Sequence, residues 1–144
     1  MPSAADDLLA QQRSLGRPLR FDEYLATALY GPHGFYVTGG QAGRRGDFIT
    51  SPEVGPLFGA VLARWIDAEH ERVGRPHDFR IVEAGAGPGT LARSILAAAP
   101  QWRDRYGTVE LAEAQRIAHP DGVLPMAELP STAAPGVVIA NELL

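Results

Sequence analysis

The 144-residue sequence predicts an α/β fold: a parallel sheet with flanking helices, preceded by a helical and glycine-rich N-terminal segment. Three observations predict it. Short apolar strands alternate with helical segments in the second half, and such alternation builds parallel sheets with crossover helices. A glycine-rich turn, Gly85-Ala-Gly87-Pro-Gly89, joins one strand to the next helix. Gly136-Val-Val-Ile-Ala140 is continuously apolar, the pattern of a central parallel strand covered on both faces.

The elements follow in order. Residues 3–15 form a first helix, with Ser3 as cap, Asp6 and Asp7 at its positive end and Gly16 as its stop. A second helix runs from Asp22 to Tyr30, with Phe21, Leu25, Ala28 and Leu29 as its apolar face, and Gly31-Pro32 ends it. Residues 31–50 are a long glycine-rich loop with aromatics, holding short strands at 34–37 and 47–50. Structureless loops of that length in compact domains are mostly binding loops. Ser51-Pro52-Glu53 starts a helix, Ser51 capping and Pro52 in the first position. It continues to Val73, with Leu57, Val61, Trp65, Phe58, Leu62 and Ile66 on its apolar side. A strand at 79–83, a turn at 84–89, a helix at 90–98, a strand at 107–110, a helix at 112–118, a weak strand at 123–126 and a strand at 136–140 complete the chain. We divide it into residues 1–76, helices and a covering loop, and 77–144, the first half of a Rossmann-like domain.

Composition removes several function classes. Hydrophobic residues make up 45% and charged residues 21%, enough to bury a core. Cys is absent, which excludes disulfides, thiolate metal sites and a Cys nucleophile. All 13 basic residues are Arg, which excludes Schiff-base lysines and the P-loop lysine. The net charge of −4 provides no field for nucleic acid or anionic membrane. No apolar run approaches the ~20 residues that cross a bilayer, and the acidic start is unlike a signal or transit peptide. A cytoplasmic bacterial protein is the expectation. His33, His70, His77 and His119 lack metal-ligand spacing, so no metal is expected. Arg45-Gly-Asp47 matches an adhesion tripeptide only by composition.

The turn carries the chemistry. Gly85 permits a tight bend, Gly87 lets a ligand approach the backbone and Gly89 opens the helix, with Ala86 between them. The G-x-G-x-G spacing differs from the G-x-G-x-x-G of dinucleotide binders. Glu83 ends the first strand, and Glu110 ends the second, where an acid can accept ribose hydroxyls. These features resemble the S-adenosylmethionine-dependent methyltransferase pattern, in which Glu83 would sit near the methionine ammonium and Glu110 would hold the ribose.

Four blocks narrow the resemblance: Ala28-Leu-Tyr-Gly-Pro-His-Gly-Phe-Tyr36, Gly43-Arg-Arg-Gly-Asp-Phe-Ile-Thr-Ser-Pro-Glu-Val-Gly55, Glu83-Ala-Gly-Ala-Gly-Pro-Gly-Thr-Leu91 and Val137-Val-Ile-Ala-Asn-Glu-Leu-Leu144. Together they resemble the MidA-like methyltransferases, the family of the mitochondrial protein arginine methyltransferase that assists respiratory complex I assembly. The resemblance implies a class I methyltransferase sheet of seven strands, S-adenosyl-L-methionine as cofactor and a partner-protein arginine as substrate. It also implies that these residues are the N-terminal part of a longer enzyme, inactive alone. The uncovered edge of the 136–140 strand would then invite homo-oligomers.

A guanidinium has a pKa above 12, so carboxylates must orient one of its nitrogens and hold the developing charge. We assign Asn141, Glu142 and Asp47 to catalysis, and Glu53 and Arg45 to the substrate. Glu83, Gly85, Ala86, Gly87, Gly89, Glu110 and Thr50 are assigned to the cofactor. Asp47 pairing with Arg44 or Arg45, and Glu53 simply facing a helix dipole, are the structural alternatives. At the level of function the alternatives are a non-catalytic, cofactor-binding assembly factor and an NAD-dependent oxidoreductase of Rossmann type.

Overall fold

The computed structural model describes residues 1–40, 49–131 and 134–143. The chain forms two compact units, Met1–Gln41 and Ala42–Leu144.

The first unit holds α1 (Ala4–Leu15) and α2 (Phe21–Tyr30). Ser3 Oγ accepts from the Asp6 amide, Asp6 returns a carboxylate to the Ser3 amide at 2.8 Å, and Gly16 closes α1 with φ 64°. This is a reciprocal capping box. The helices are joined by Thr27 Oγ1 donating to Gln11 Oε1 at 2.7 Å. No residue of either helix is buried, and Phe21, expected on an apolar face, is 76% exposed. No strand forms at 34–37. The amides of Phe35 and Tyr36 donate to the carbonyls of Ala28 and Leu29 at 2.9 and 3.0 Å. The chain therefore folds back on the end of α2, and the Tyr36 ring packs on Tyr30 and Phe35.

The second unit begins with α3 (Ser51–Val54) and α4 (Leu57–Arg72), where the sequence predicts one continuous helix. Gly55-Pro56 breaks it. Proline disfavours the helical conformation of the residue before it, and Gly55 is fully extended at φ 166°. The N-cap is Thr50 rather than Ser51, and no side chain caps it. The sheet follows: β1 (Arg80–Ala84), α5 (Thr90–Ala98), a 3₁₀ segment at Pro100–Arg105, β2 (Tyr106–Val109), α6 (Glu113–Arg116), β3 (Leu124–Met126) and β4 (Gly136–Ala140). All pairings are parallel, in the order β3-β2-β1-β4.

Side chains alternate between the two faces of a strand. On one face, Ile81 of β1, Tyr106 of β2, and Val137 and Ile139 of β4 meet α4 and α5 through Ala63, Ile66, Leu91 and Ile95. Each fully buried large side chain there contributes about 1.5–3 kcal/mol. Helix α4 reaches α5 at Gly59, where an added Cβ would lie 2.3 Å from Ser94 Cβ. So α4, which the sequence reading grouped with the N-terminal residues, packs within the sheet unit. Trp102 closes the core and donates Nε1–H to Asp67 Oδ1 at 2.7 Å. Trp65, expected in the core, is 42% exposed, because Ile66 and Ala63 take the buried side.

Among the described residues, no helix covers the opposite face of the sheet. Val82, Gly107, Met126, Leu129 and Val138 line a cavity of about 660 Å³ there. The apolar run predicts β4 covered on both faces; instead its residues alternate between buried and exposed, and Val138 is 66% exposed. Among the described residues, only β1 pairs with β4.

Candidate functional site

The strand β1 runs into the glycine turn. Gly85, Gly87 and Gly89 all have positive φ, at 69°, 52° and 76°. Gly89 is the left-handed N-cap of α5. The Ala86 amide donates to Val109 O at 3.0 Å, which fixes the turn over the end of β2. Glu110 sits directly after β2 and is 6% exposed. Its Oε2 accepts from the Gly87 amide at 3.0 Å, and its Oε1 accepts from the Ala112 amide at 2.8 Å. A carboxylate offers about four acceptor positions, and these two amides fill two of them. Gln115, on α6, faces the same turn: a Cβ on Gly87 would lie 3.3 Å from its Oε1. Six of the residues assigned to the cofactor (Glu83, Gly85, Ala86, Gly87, Gly89 and Glu110) thus lie at or beside one turn.

Glu83 lies in a different environment from the one the sequence predicts for it. Its side chain points to the helix-covered face, 3% exposed, and its Oε2 accepts the hydroxyl of Tyr106 at 2.7 Å. Burial pushes its carboxyl up to about 7, against the lowering effects of the Tyr106 hydrogen bond and of Arg93. Tyr106 is likewise pushed up, first by burial and then by the neighbouring Glu83. The carboxyl is therefore an internal support under the turn.

Sequence reasoning missed two partners of the turn. His119 Nε2 lies 2.7 Å from Gly87 O, and its Nδ1 lies 2.8 Å from Thr108 Oγ1. Metal-ligand spacing is the one property of the histidines that the sequence exposes, and among the described residues no group of three or more His, Asp or Glu could hold a metal ion. The usable signal was Thr108, a polar residue that shares the inward face of β2 with Tyr106 and is completely buried. A hydroxyl in that position requires a partner.

A second group of assigned residues comes together at the carboxyl end of β4, where ligands bind in open α/β sheets. Asn141 and Glu142 follow β4, and Glu142 adopts φ 55°. The Ser51 amide donates to Glu142 Oε1 at 3.2 Å across 91 residues of sequence. Thr50, Glu53 and the β4 turn are thereby brought to one place. Leu143 lies on the glycine turn, with its Cδ1 2.8 Å from the position of a Cβ on Gly85. Arg45, Asp47 and the first part of the predicted 47–50 strand lie outside the described residues, and no strand forms at 49–50.

A parallel sheet whose first strand feeds a G-x-G-x-G turn, with an acid closing the second strand over that turn, defines the Rossmann-like class of nucleotide-cofactor-binding domains. Within that class, a family profile described as "putative S-adenosyl-L-methionine-dependent methyltransferase" matches residues 61–144, and the chain belongs to that family. The chain is similar to a Burkholderia thailandensis protein whose crystal structure holds S-adenosyl-homocysteine, at a TM-score of 0.79 and 32% identity. That match covers 98% of this chain and 41% of the other. It is 42% identical over 95 residues to the mitochondrial protein arginine methyltransferase NDUFAF7 homolog of Drosophila melanogaster, covering 65% of this chain and 22% of the relative. With human mitochondrial protein arginine methyltransferase NDUFAF7 it shares 40% over 90 residues, 62% of this chain and 20% of the relative. The chain spans about a fifth of the length of these curated relatives. Their mitochondrial names overturn the expectation of a bacterial cytoplasmic protein. No described helix is long and apolar enough to cross a membrane.

Proposed function

We propose that this chain supplies the S-adenosyl-L-methionine-binding elements of a methyltransferase acting on arginine in a partner protein, with a subunit of respiratory complex I as the substrate that the resemblance implies. The observation that carries the reading is the Glu110 carboxylate, buried over the glycine turn and accepting the Gly87 amide at 3.0 Å. The residues present fit the cofactor: Gly87 offers backbone without a side chain, and Glu110 keeps acceptor positions for a diol. When bound, the cofactor supplies an electrophilic methyl group on a sulfonium.

The chain's own residues supply position and charge. Gly85, Ala86, Gly87 and Gly89 shape the surface for the cofactor, and Glu83 supports it from below. Glu53 and Asn141 lie on segments joined through the Ser51–Glu142 bond, where they can orient a guanidinium. Thr50 keeps its assignment to the cofactor, Glu142 and Asp47 theirs to catalysis and Arg45 its to the substrate, with Asp47 and Arg45 outside the described residues. Isothermal calorimetry tests the reading. S-adenosylhomocysteine is expected to bind saturably and NAD not at all, and binding of NAD alone would replace it with the oxidoreductase alternative. Transfer of labelled methyl groups to solubilised complex I, measured with a full-length relative that carries these residues in place of its own, then separates an enzyme from a non-catalytic binding factor.

A further inference from the structure

We propose that His119 is a positioning residue for the cofactor turn, latching the Gly87 carbonyl through its Nε2–H in a tautomer set by Thr108. The latch is defined by the structure alone, and its effect on ligand affinity rests on the reading of this turn as the S-adenosylmethionine site.

The turn needs an outside fastening. Gly87 has wide conformational freedom, and Pro88 brings no N–H with which to tie the peptide between them. The Gly87 amide is held by Glu110, but its carbonyl faces the other way and is met by the imidazole at 2.7 Å. That oxygen can only accept, so Nε2 carries the proton. Nδ1 is then the acceptor of the Thr108 hydroxyl at 2.8 Å, from a side chain with no exposure. The ring's plane and tautomer are thus both specified.

The segment that delivers the ring is itself fixed. Arg93 on α5 donates to Ala118 O at 2.8 Å, and Arg116 donates to Glu110 O and Leu111 O. The ring also lies against the end of the turn: a Cβ on Gly89 would sit 3.1 Å from His119 Cδ2 and 3.0 Å from Pro120 Cδ. So α5, β2 and the residues after α6 converge on one carbonyl. Holding a binding surface in its bound shape before the ligand arrives reduces the ordering cost of binding.

Three measurements on the full 144-residue chain test this. Long-range nitrogen–proton NMR of the His119 ring should show the Nε2–H tautomer, with or without ligand; an Nδ1–H tautomer overturns the proposal. Calorimetry with S-adenosylhomocysteine should show His119→Ala and His119→Asn weakened by at least about tenfold. His119→Gln, whose amide places a donor where Nε2 stood, should stay within about threefold of the unmodified chain. Equal affinity for the Ala variant, or a Gln variant no better than Asn, also overturns it. A lack of binding by the unmodified chain sinks the cofactor reading instead. The latch is then judged by the tautomer and by amide exchange: His119→Ala should speed exchange at Gly87 and Gly89 at least about tenfold while β1 stays protected. Unchanged exchange at those two amides counts against the latch.

Discussion

Glu83 is the residue whose environment has the clearest thermodynamic signature. Its ordinary pKa of 4.5 is raised to about 7, first by burial. The folded chain therefore binds this proton more tightly than the unfolded chain does. Stability from this group is fully present below pH 4.5 and is lost as pH rises through about 7. The loss is about 3 kcal/mol. Urea denaturation at pH 5 and pH 8 should show Glu83→Gln with a smaller decline than the unmodified chain, and an equal decline would remove Glu83 as its source. Tyr106→Phe removes the hydroxyl that favours the carboxylate, so it should shift the decline to higher pH. At Gly87 the argument is steric. Its φ of 52° strains any L side chain by about 1–2 kcal/mol, and a branched one also occupies the cofactor surface. Gly87→Val should therefore show no calorimetric heat with S-adenosylhomocysteine, and an unchanged dissociation constant would refute the assigned turn.

Between elements, the bond from Ser51 to Glu142 is a joint rather than a local cap. If Glu142 acts by accepting that amide, Glu142→Gln keeps an acceptor and should retain slow hydrogen exchange at Ser51, while Glu142→Ala exchanges faster. Faster exchange in the Gln variant as well would show that this bond needs the carboxylate charge. The α4–α5 crossing gives a stability test. At Gly59 any Cβ meets Ser94, whose backbone carbon would be 2.8 Å away, so Gly59→Ala should cost about 1–3 kcal/mol in urea denaturation despite the better helix propensity. Elements whose own periodicity and stop residues define them were legible: α5 and β4 are found over Thr90–Ala98 and Gly136–Ala140, the residues the pattern marks. The glycine turn was legible because it directly joins β1 to α5, and the place of Glu110 because it directly follows β2. What depends on pairing at a distance was not. The Gly55-Pro56 break was present in the sequence but hidden by an apolar period that continues through it. The fold-back of Phe35 and Tyr36 onto α2, the Thr108–His119–Gly87 chain and the Ser51–Glu142 joint all need side-chain or backbone directions that spacing does not encode.

At the scale of the whole sheet, the two faces differ in kind. One is sealed by α4 and α5; the other presents Val138, Leu124 and Leu129, each more than half exposed, around a cavity of about 660 Å³. β4 also has one long side without a strand partner among the described residues. A flat apolar strand with unpaired backbone groups is a template for pairing with another chain. Soluble monomers rarely leave so much contiguous apolar surface open. The 144-residue chain is therefore expected to self-associate as its concentration rises, through β4 and the face beside it. Val138→Lys puts a charge on the open face without touching the core, since the residue's neighbours Val137 and Ile139 carry the buried contacts. Sedimentation velocity over a hundredfold concentration range should show the unmodified chain shifting to larger species and the lysine variant shifting less. An unmodified chain that sediments as a monomer throughout, or a lysine variant that associates equally, would place the contact elsewhere. Because α5 and the glycine turn lie outside this surface, the lysine variant should keep its affinity for S-adenosylhomocysteine, so that association and cofactor binding are separable properties of the same sheet.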